Sequence, residues 1–156
     1  MGIGPSTKET TLHHFRDPLV EELCDDTDLD FVGIIIAGIP QDNVNKLFTG
    51  SRVGAWAEAL RVKGAIVSED SWGNSNVDFA QAIEEIGKRD IAVVGVSFVG
   101  TQGAFVVTNQ YMNNIVDFNK SEEGIETNVV GENNIVAQDA KKAKALLKLK
   151  MRAVKR

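Results

Sequence analysis

The sequence predicts an α/β protein: a single flavodoxin-like, three-layer domain around a mainly parallel sheet of four or slightly more strands. Three observations predict it. Two apolar runs, 30–39 (DFVGIIIAGI) and 91–99 (IAVVGVSFV), are rich in β-branched residues and do not alternate with polar ones, the pattern of strands buried on both faces. Stretches with apolar residues at helical spacing separate the strand-like segments. And 156 residues, 43% of them hydrophobic, can bury one core without disulfides or metal.

Taken in order, residues 1–18 are a Gly-, Pro-, Ser- and Thr-rich lead, read as an extended strap, and helical character begins after Pro18 in LVEELCDD. The run 30–39 is the first strand, stopped by Pro40, which has no N–H to offer a ladder. Val44, Leu47, Ala55, Ala57 and Leu60 then recur at roughly helical spacing within 41–63, with Gly50-Ser51 as a point of interruption. Residues 64–68 (GAIVS) form the second strand, a polar turn at 69–76 leads into a helix carrying Phe79, Ala80, Ile83 and Ile86, and 91–99 is the third strand. This βαβαβ alternation implies helices on both faces and a strand order of 2-1-3-4. An irregular helix is expected within 104–112 and a fourth strand at 114–118. Ala140, Ala143, Leu147, Met151 and Val154 line one face of a closing basic amphipathic helix over 138–156. The whole chain, 1–156, reads as one domain.

The 17 basic and 22 acidic side chains give a net charge of −5, which weighs against a general nucleic-acid binder. Eight of the basic residues fall within 141–156, where a helix C-terminus favours them and where they form a solvated face. The longest apolar run, 31–40, is far too short to span a bilayer, and no signal peptide is visible. Neither nucleic acid nor membrane is therefore expected as a partner. One cysteine, Cys24, excludes an internal disulfide and points to a reducing, cytoplasmic setting. Exposed apolar surface is expected to serve a homo-oligomer or a docking partner.

Ligands of open parallel sheets bind beyond the carboxyl ends of the strands, here at loops 38–41, 69–76 and 100–103. The richest loop, Glu69-Asp70-Ser71-Trp72-Gly73-Asn74-Ser75-Asn76, supplies a glycine for close approach and several donors before a helix start. Trp72, Gly73, Asn74, Ser75, Asn76 and Asp78, with Thr101 and Gln102 of the next loop, are the candidate substrate-binding residues. Two readings stay open: a main-chain cradle for a carboxylate, or an ordinary turn in which Ser75 or Asn76 caps the helix and Asp78 suits its first turn. Glu69 and Asp70 are a weak acid/base pair, because adjacent loop carboxylates commonly stay solvated. No G-x-S-x-G elbow surrounds Ser71 or Ser75. His13 and His14 are the only histidines, no metal site is legible, and Cys24 lies in an acidic stretch that does not favour a nucleophile. No catalytic residue is assigned.

Beyond spacing, three segments carry a resemblance: Gly2-Ile3-Gly4-Pro5-Ser6-Thr7-Lys8-Glu9 with His13-His14-Phe15-Arg16-Asp17-Pro18, the strand-like run 33–40, and Trp72-Gly73-Asn74-Ser75-Asn76-Val77-Asp78. Together they resemble the D-proline reductase and glycine/sarcosine/betaine reductase component B family over nearly the whole chain. Within it, they are most like the small accessory subunit of D-proline reductase, itself similar to the C-terminal pyruvoyl-subunit fragment of that enzyme's precursor. The resemblance implies reductive cleavage of an amino-acid C–N bond in anaerobic fermentation. A pyruvoyl carbonyl made from a precursor cysteine would condense with the substrate amine, and a selenocysteine subunit would attack the α-carbon. This chain has no selenocysteine position and no cysteine in residues 1–18. The expectation is accordingly a non-processing subunit or paralogue that carries no cofactor, whose partners are the reductase catalytic subunits that hold the pyruvoyl group. A free-standing amino-acid sensor is the alternative.

Overall fold

The structure, a computed structural model, describes residues 17–69, 73–99, 105–119 and 135–154. Among them, three parallel strands form one sheet in the order β1-β2-β3: β1 (Gly64–Ser68), β2 (Ala92–Ser97) and β3 (Ile115–Asp117). Four helices accompany them: α1 (Pro18–Cys24), α2 (Asn43–Ala59), α3 (Ser75–Gly87) and α4 (Ala137–Val154).

The central strand explains the layers. Ala92, Val94, Val96 and, just beyond the strand, Phe98 pack with Ala140, Ala143 and Leu147 of α4 and Leu19 of α1. Ile91 and Val93 point the other way, toward Phe79, Ile83 and Ile86 of α3 and Ala57 of α2. The period-two alternation therefore feeds two cores, with α1 and α4 over one face and α2 and α3 over the other. Each Val or Ile buried this way contributes about 1.5–3 kcal/mol relative to exposure.

α2 runs unbroken through Gly50-Ser51 because the glycines there serve packing. A Cβ on Gly54 would stand 2.8 Å from the Glu85 carbonyl oxygen of α3, so only glycine lets the two helices approach this closely. Asp42 caps the helix, its Oδ1 accepting from the Asn45 N–H at 2.9 Å. α1 is started by Asp17, whose Oδ1 accepts from the Leu19 N–H at 2.9 Å, with Pro18 in the first turn. It is tied to α4 by ion pairs: Lys144 to Glu22 (2.9 Å) and Asp26 (3.3 Å), and Lys148 to Asp26 (3.0 Å) and Asp28 (2.8 Å). Part of the basic face of α4 is thus engaged by Glu22 of α1 and by Asp26 and Asp28 of the turn that follows it.

Two expectations are corrected. The four-stranded flavodoxin-like sheet of order 2-1-3-4 is not formed. The run 30–39 joins no ladder among the described residues, and β1 pairs directly with β2, where the first strand was to lie between them. A β-branched composition supplies strand propensity, but a strand needs a partner edge, and Gly33 at φ +151° departs from regular strand geometry. The irregular helix expected within 104–112 is also absent from the described part, 105–112, which follows turns. Asn109 organises them, its Nδ2 donating to the Ala80 carbonyl (2.8 Å) and its Oδ1 accepting from the Tyr111 N–H (3.0 Å), while Phe105 stacks on Phe79 at 5.7 Å between centroids. No helix among the described residues is long and apolar enough to cross a membrane. The lead expected at 1–18 lies, but for Asp17 and Pro18, outside the described residues.

Candidate functional site

Each strand ends on a polar side chain: Ser68 followed by Glu69 after β1, Ser97 in β2 and Asp117 in β3. Glu69 is drawn inward. Its N–H donates to the Val96 carbonyl at 3.0 Å, continuing the β1–β2 ladder by one residue. Its Oε1 accepts from Asn76 Nδ2 at 2.9 Å and from Ser97 Oγ at 3.0 Å. Ser97 is completely buried and Asn76 nearly so, so a carboxylate at the end of β1 is fixed by one donor from α3 and one from β2. Hydrogen bonds to a charged acceptor contribute about 1.5–3 kcal/mol each, above the neutral value.

The N-cap residue of the helix behind this cluster makes no side-chain cap hydrogen bond among the described residues. Gly73 adopts φ +68°, its carbonyl accepts from the Asn76 N–H at 3.0 Å, and the N-cap, Asn74, is exposed with no cap hydrogen bond from its side chain. In the first turn Asp78 faces α2, where its Oδ2 accepts from Lys46 Nζ. The Lys46 side chain is fully buried and that of Asp78 is 14% exposed. The other oxygen, Asp78 Oδ1, is buried with no hydrogen-bond partner among the described residues.

At the far strand, Asp117 Oδ1 accepts from the N–H groups of Val99 (3.3 Å) and Asn119 (2.9 Å), pinning the segments that leave β2 and β3. α4 runs back toward the strand starts, with Leu147 and Met151 standing over Gly64. At the opposite end of that helix Asp139 is buried, and its Oδ2 accepts from the Val136 N–H at 3.2 Å, half of a capping box. The carboxyl ends of the strands thus carry carboxylates held by N–H, amide and hydroxyl donors, with Lys46 as a buried ammonium behind them. Among the described residues no three His, Cys, Asp or Glu side chains gather closely enough to hold a metal ion.

Of the predicted substrate-binding residues, Trp72, Thr101 and Gln102 lie outside the described residues. Gly73 and Asn74 sit on the exposed turn, Ser75 and Asn76 are buried below it, and Asp78 is committed to Lys46. The N-cap position falls on Asn74, ahead of both Ser75 and Asn76, the two residues expected to cap, and Asn76 turns its amide to Glu69. Lys46, Ser97 and Asp117 were not singled out in the sequence. The polar residue that closes each apolar strand was the signal for the last two; Lys46 has no local one.

The pyruvoyl group implied by the resemblance does not fit the one thiol present. Cys24 is the exposed last residue of α1, and the next N–H, of Asp25, still bonds back to the Glu21 carbonyl at 3.0 Å, so chain cleavage before Cys24 would cut within a formed helical turn.

Three parallel strands between two helical layers, with polar strand ends beside a helix start, define the class of the protein as α/β and not yet its family. The family comes from sequence comparison. A family model described as "Glycine/sarcosine/betaine reductase component B subunits" matches residues 2–148, and the chain belongs to that family. It is 43% identical over 146 residues to the D-proline reductase proprotein PrdA of Acetoanaerobium sticklandii, an alignment covering 94% of this chain and 23% of the relative. It is 28% identical over 105 residues to the sarcosine reductase complex component B subunit alpha of Peptoclostridium acidaminophilum, covering 65% of this chain and 24% of that one. It is also 28% identical over 106 residues to the glycine reductase complex component B subunits alpha and beta of A. sticklandii, covering 65% and 25%. The chain thus spans about a quarter of the length of these relatives. No solved structure matches it.

Proposed function

We propose that this chain is a non-processing subunit or paralogue within a D-proline or glycine-type reductase system, which docks on the catalytic subunits without supplying the electrophile. The observation that carries the reading is the match to one portion of the D-proline reductase proprotein, 43% identical across 94% of the chain, in a polypeptide whose single cysteine closes a helical turn. The pyruvoyl chemistry would then belong to the catalytic partner. The test is gentle anaerobic purification from cells that also express the catalytic subunits. The chain should copurify with them in fixed ratio; its recovery free of them counts against the reading.

A second reading, a free-standing amino-acid-binding domain, is favoured by one feature: the uncapped, exposed Asn74 at the α3 start beside strand ends lined by carboxylates. An amino-acid zwitterion suits such a place, its carboxylate toward the helix start and its ammonium toward the acids. Calorimetry with D-proline, glycine and betaine should give a saturable heat that Asn74→Ala removes. The absence of heat with all three ligands sinks this reading and leaves the first untouched.

A further inference from the structure

α1 is the helix least built into the fold. Among the described elements it packs closely on α4 alone, and Leu19 is its one buried residue. Beyond its end, residues 25–42 form no helix or strand and most of them are exposed, so the chain from Asp17 to Asp42 can leave α4 without opening a ladder. α1 has seven residues, whereas an isolated helix needs about 12–15 for even marginal stability in water.

What completes α1 comes from α4. Asp17 caps its start, but no basic residue stands in its last turn to meet the negative end of the helix. Lys144 of α4 takes that place: its Nζ donates to the Glu22 carbonyl at 3.1 Å, one of the last carbonyls of α1, and to the Glu22 carboxylate at 2.9 Å. The other ion pairs advance in step along both segments, Glu22 with Lys141 (3.8 Å), Asp26 with Lys144 (3.3 Å) and Lys148 (3.0 Å), and Asp28 with Lys148 (2.8 Å). α1 and α4 therefore run in the same direction. α4 ends over the strand starts, where Leu147 and Met151 stand against Gly64 and Lys150 Nζ donates to the Val93 carbonyl at 2.8 Å, so its own start lies toward the carboxyl ends. Docked α1 thus sets Asp17 and Pro18 at the end of the sheet where Glu69 and Asp117 stand. Lys144 and Lys148 keep 19% and 23% of their side-chain surface in water, so solvent and salt screen the charges that hold the helix.

We infer that α1 is a releasable anchor, a helix that forms only while docked on Lys141, Lys144 and Lys148 and that, in docking, brings Asp17 to the carboxyl ends of the strands. On release, residues 17–42 leave α4 as one unit while the three layers stay folded, a local opening well below global unfolding. Charge on one side of α4 thereby sets where the chain meets the end of the sheet that carries the candidate site. The inference does not depend on the proposed function.

Amide hydrogen exchange of the full chain tests it. Lys144→Glu/Lys148→Glu should speed exchange of the amides from Glu21 to Asp25 about tenfold or more and leave those of β2 and α3 as they are in the wild type. Adding Glu22→Lys and Asp26→Lys to that variant, which reverses both sides, should restore most of the protection. A nitroxide on Val20→Cys, in a Cys24→Ser background, reads the direction: it should broaden the amide signals of Ala140 and Lys141 more than those of Met151 and Arg152, and the difference should vanish in the charge-reversed chain. Exchange of α1 that is unchanged by charge reversal overturns the inference, because the lysines then do not hold it. A rise shared by β2 overturns it as well, by showing that α1 opens only with the core, and so does broadening strongest at the end of α4, which would place Asp17 at the strand starts.

Discussion

Lys46 and Asp78, 32 positions apart in sequence, meet between α2 and α3 as an ion pair whose lysine side chain is wholly shielded from water. The pair fixes the pitch of α2 against the start of α3, directly behind the turn that carries Asn74. Removing one partner of a buried pair leaves an uncompensated charge, at a cost of about 3–5 kcal/mol. Lys46→Met and Asp78→Asn should therefore each lower stability by about 3 kcal/mol in urea unfolding, whereas Lys46→Met/Asp78→Leu should lose less than either alone. Additive losses in the double variant would show that the two groups are not coupled.

The Glu69 carboxylate makes a second, graded test. Ser97→Ala removes one of its donors and should cost about 1–2 kcal/mol, whereas Glu69→Gln keeps the size but sets an amide N–H against the donors and should cost about 2–3 kcal/mol. Chemical denaturation of the two variants checks the order. Equal, negligible losses would mean that the cluster is loose and does not position the α3 start.

Close approach of α2 and α3 yields a steric prediction. Gly54→Ala puts a methyl 2.8 Å from a backbone oxygen of Glu85, which cannot move alone, and should destabilise by about 1–3 kcal/mol despite the higher helix propensity of alanine. Gly50→Ala meets first the Gln81 side chain, which can turn away where a backbone oxygen cannot, and should cost less. Thermal melts of the two variants decide it.

Docking of α1 on α4 should be pH-dependent with a definite sign. The Lys148 ammonium, helped by the Asp28 N–H and Lys144, holds the Asp26 carboxyl below its ordinary range. Lys144 is held above its ordinary value first by Glu22, and Lys148 first by Asp28. For Asp26, whose folded pKa is depressed, the stabilisation is fully present above the unfolded value of about 4 and is lost as pH falls through the folded one. For the lysines it is present below about 10.4 and lost only in stronger alkali. Amide exchange of α1 should thus rise, relative to that of β2, below about pH 4, and also in high salt, which screens these exposed pairs. Protection of α1 that is unchanged by acid would show that Leu19 alone anchors it.

Much of the layered core was legible because residues 91–99 and the α3 and α4 patterns carry local periodicity: Val93 and Val94 part to opposite faces, and Ile83 and Ala143 receive them. The run 30–39 carries the same composition and misled for the same reason. Propensity marks what could be a strand, while pairing depends on an edge that sequence does not display, and β1 found β2 instead. The site was half legible. Asn74, Asn76 and Asp78 stood out as polar residues at a helix start, but their roles depend on Lys46, Glu69 and Ser97, which reach them from other elements. Glu69 read as a solvated loop acid because the next residue in sequence, Asp70, is acidic as well.

The most direct measurement is intact-mass spectrometry of the chain purified from its native complex, with and without a carbonyl-trapping hydrazine. A chain that is neither cleaved nor shifted in mass by the hydrazine is expected of a non-processing subunit. A shortened chain that gains the hydrazone mass would contradict the proposal and place the electrophile in this polypeptide.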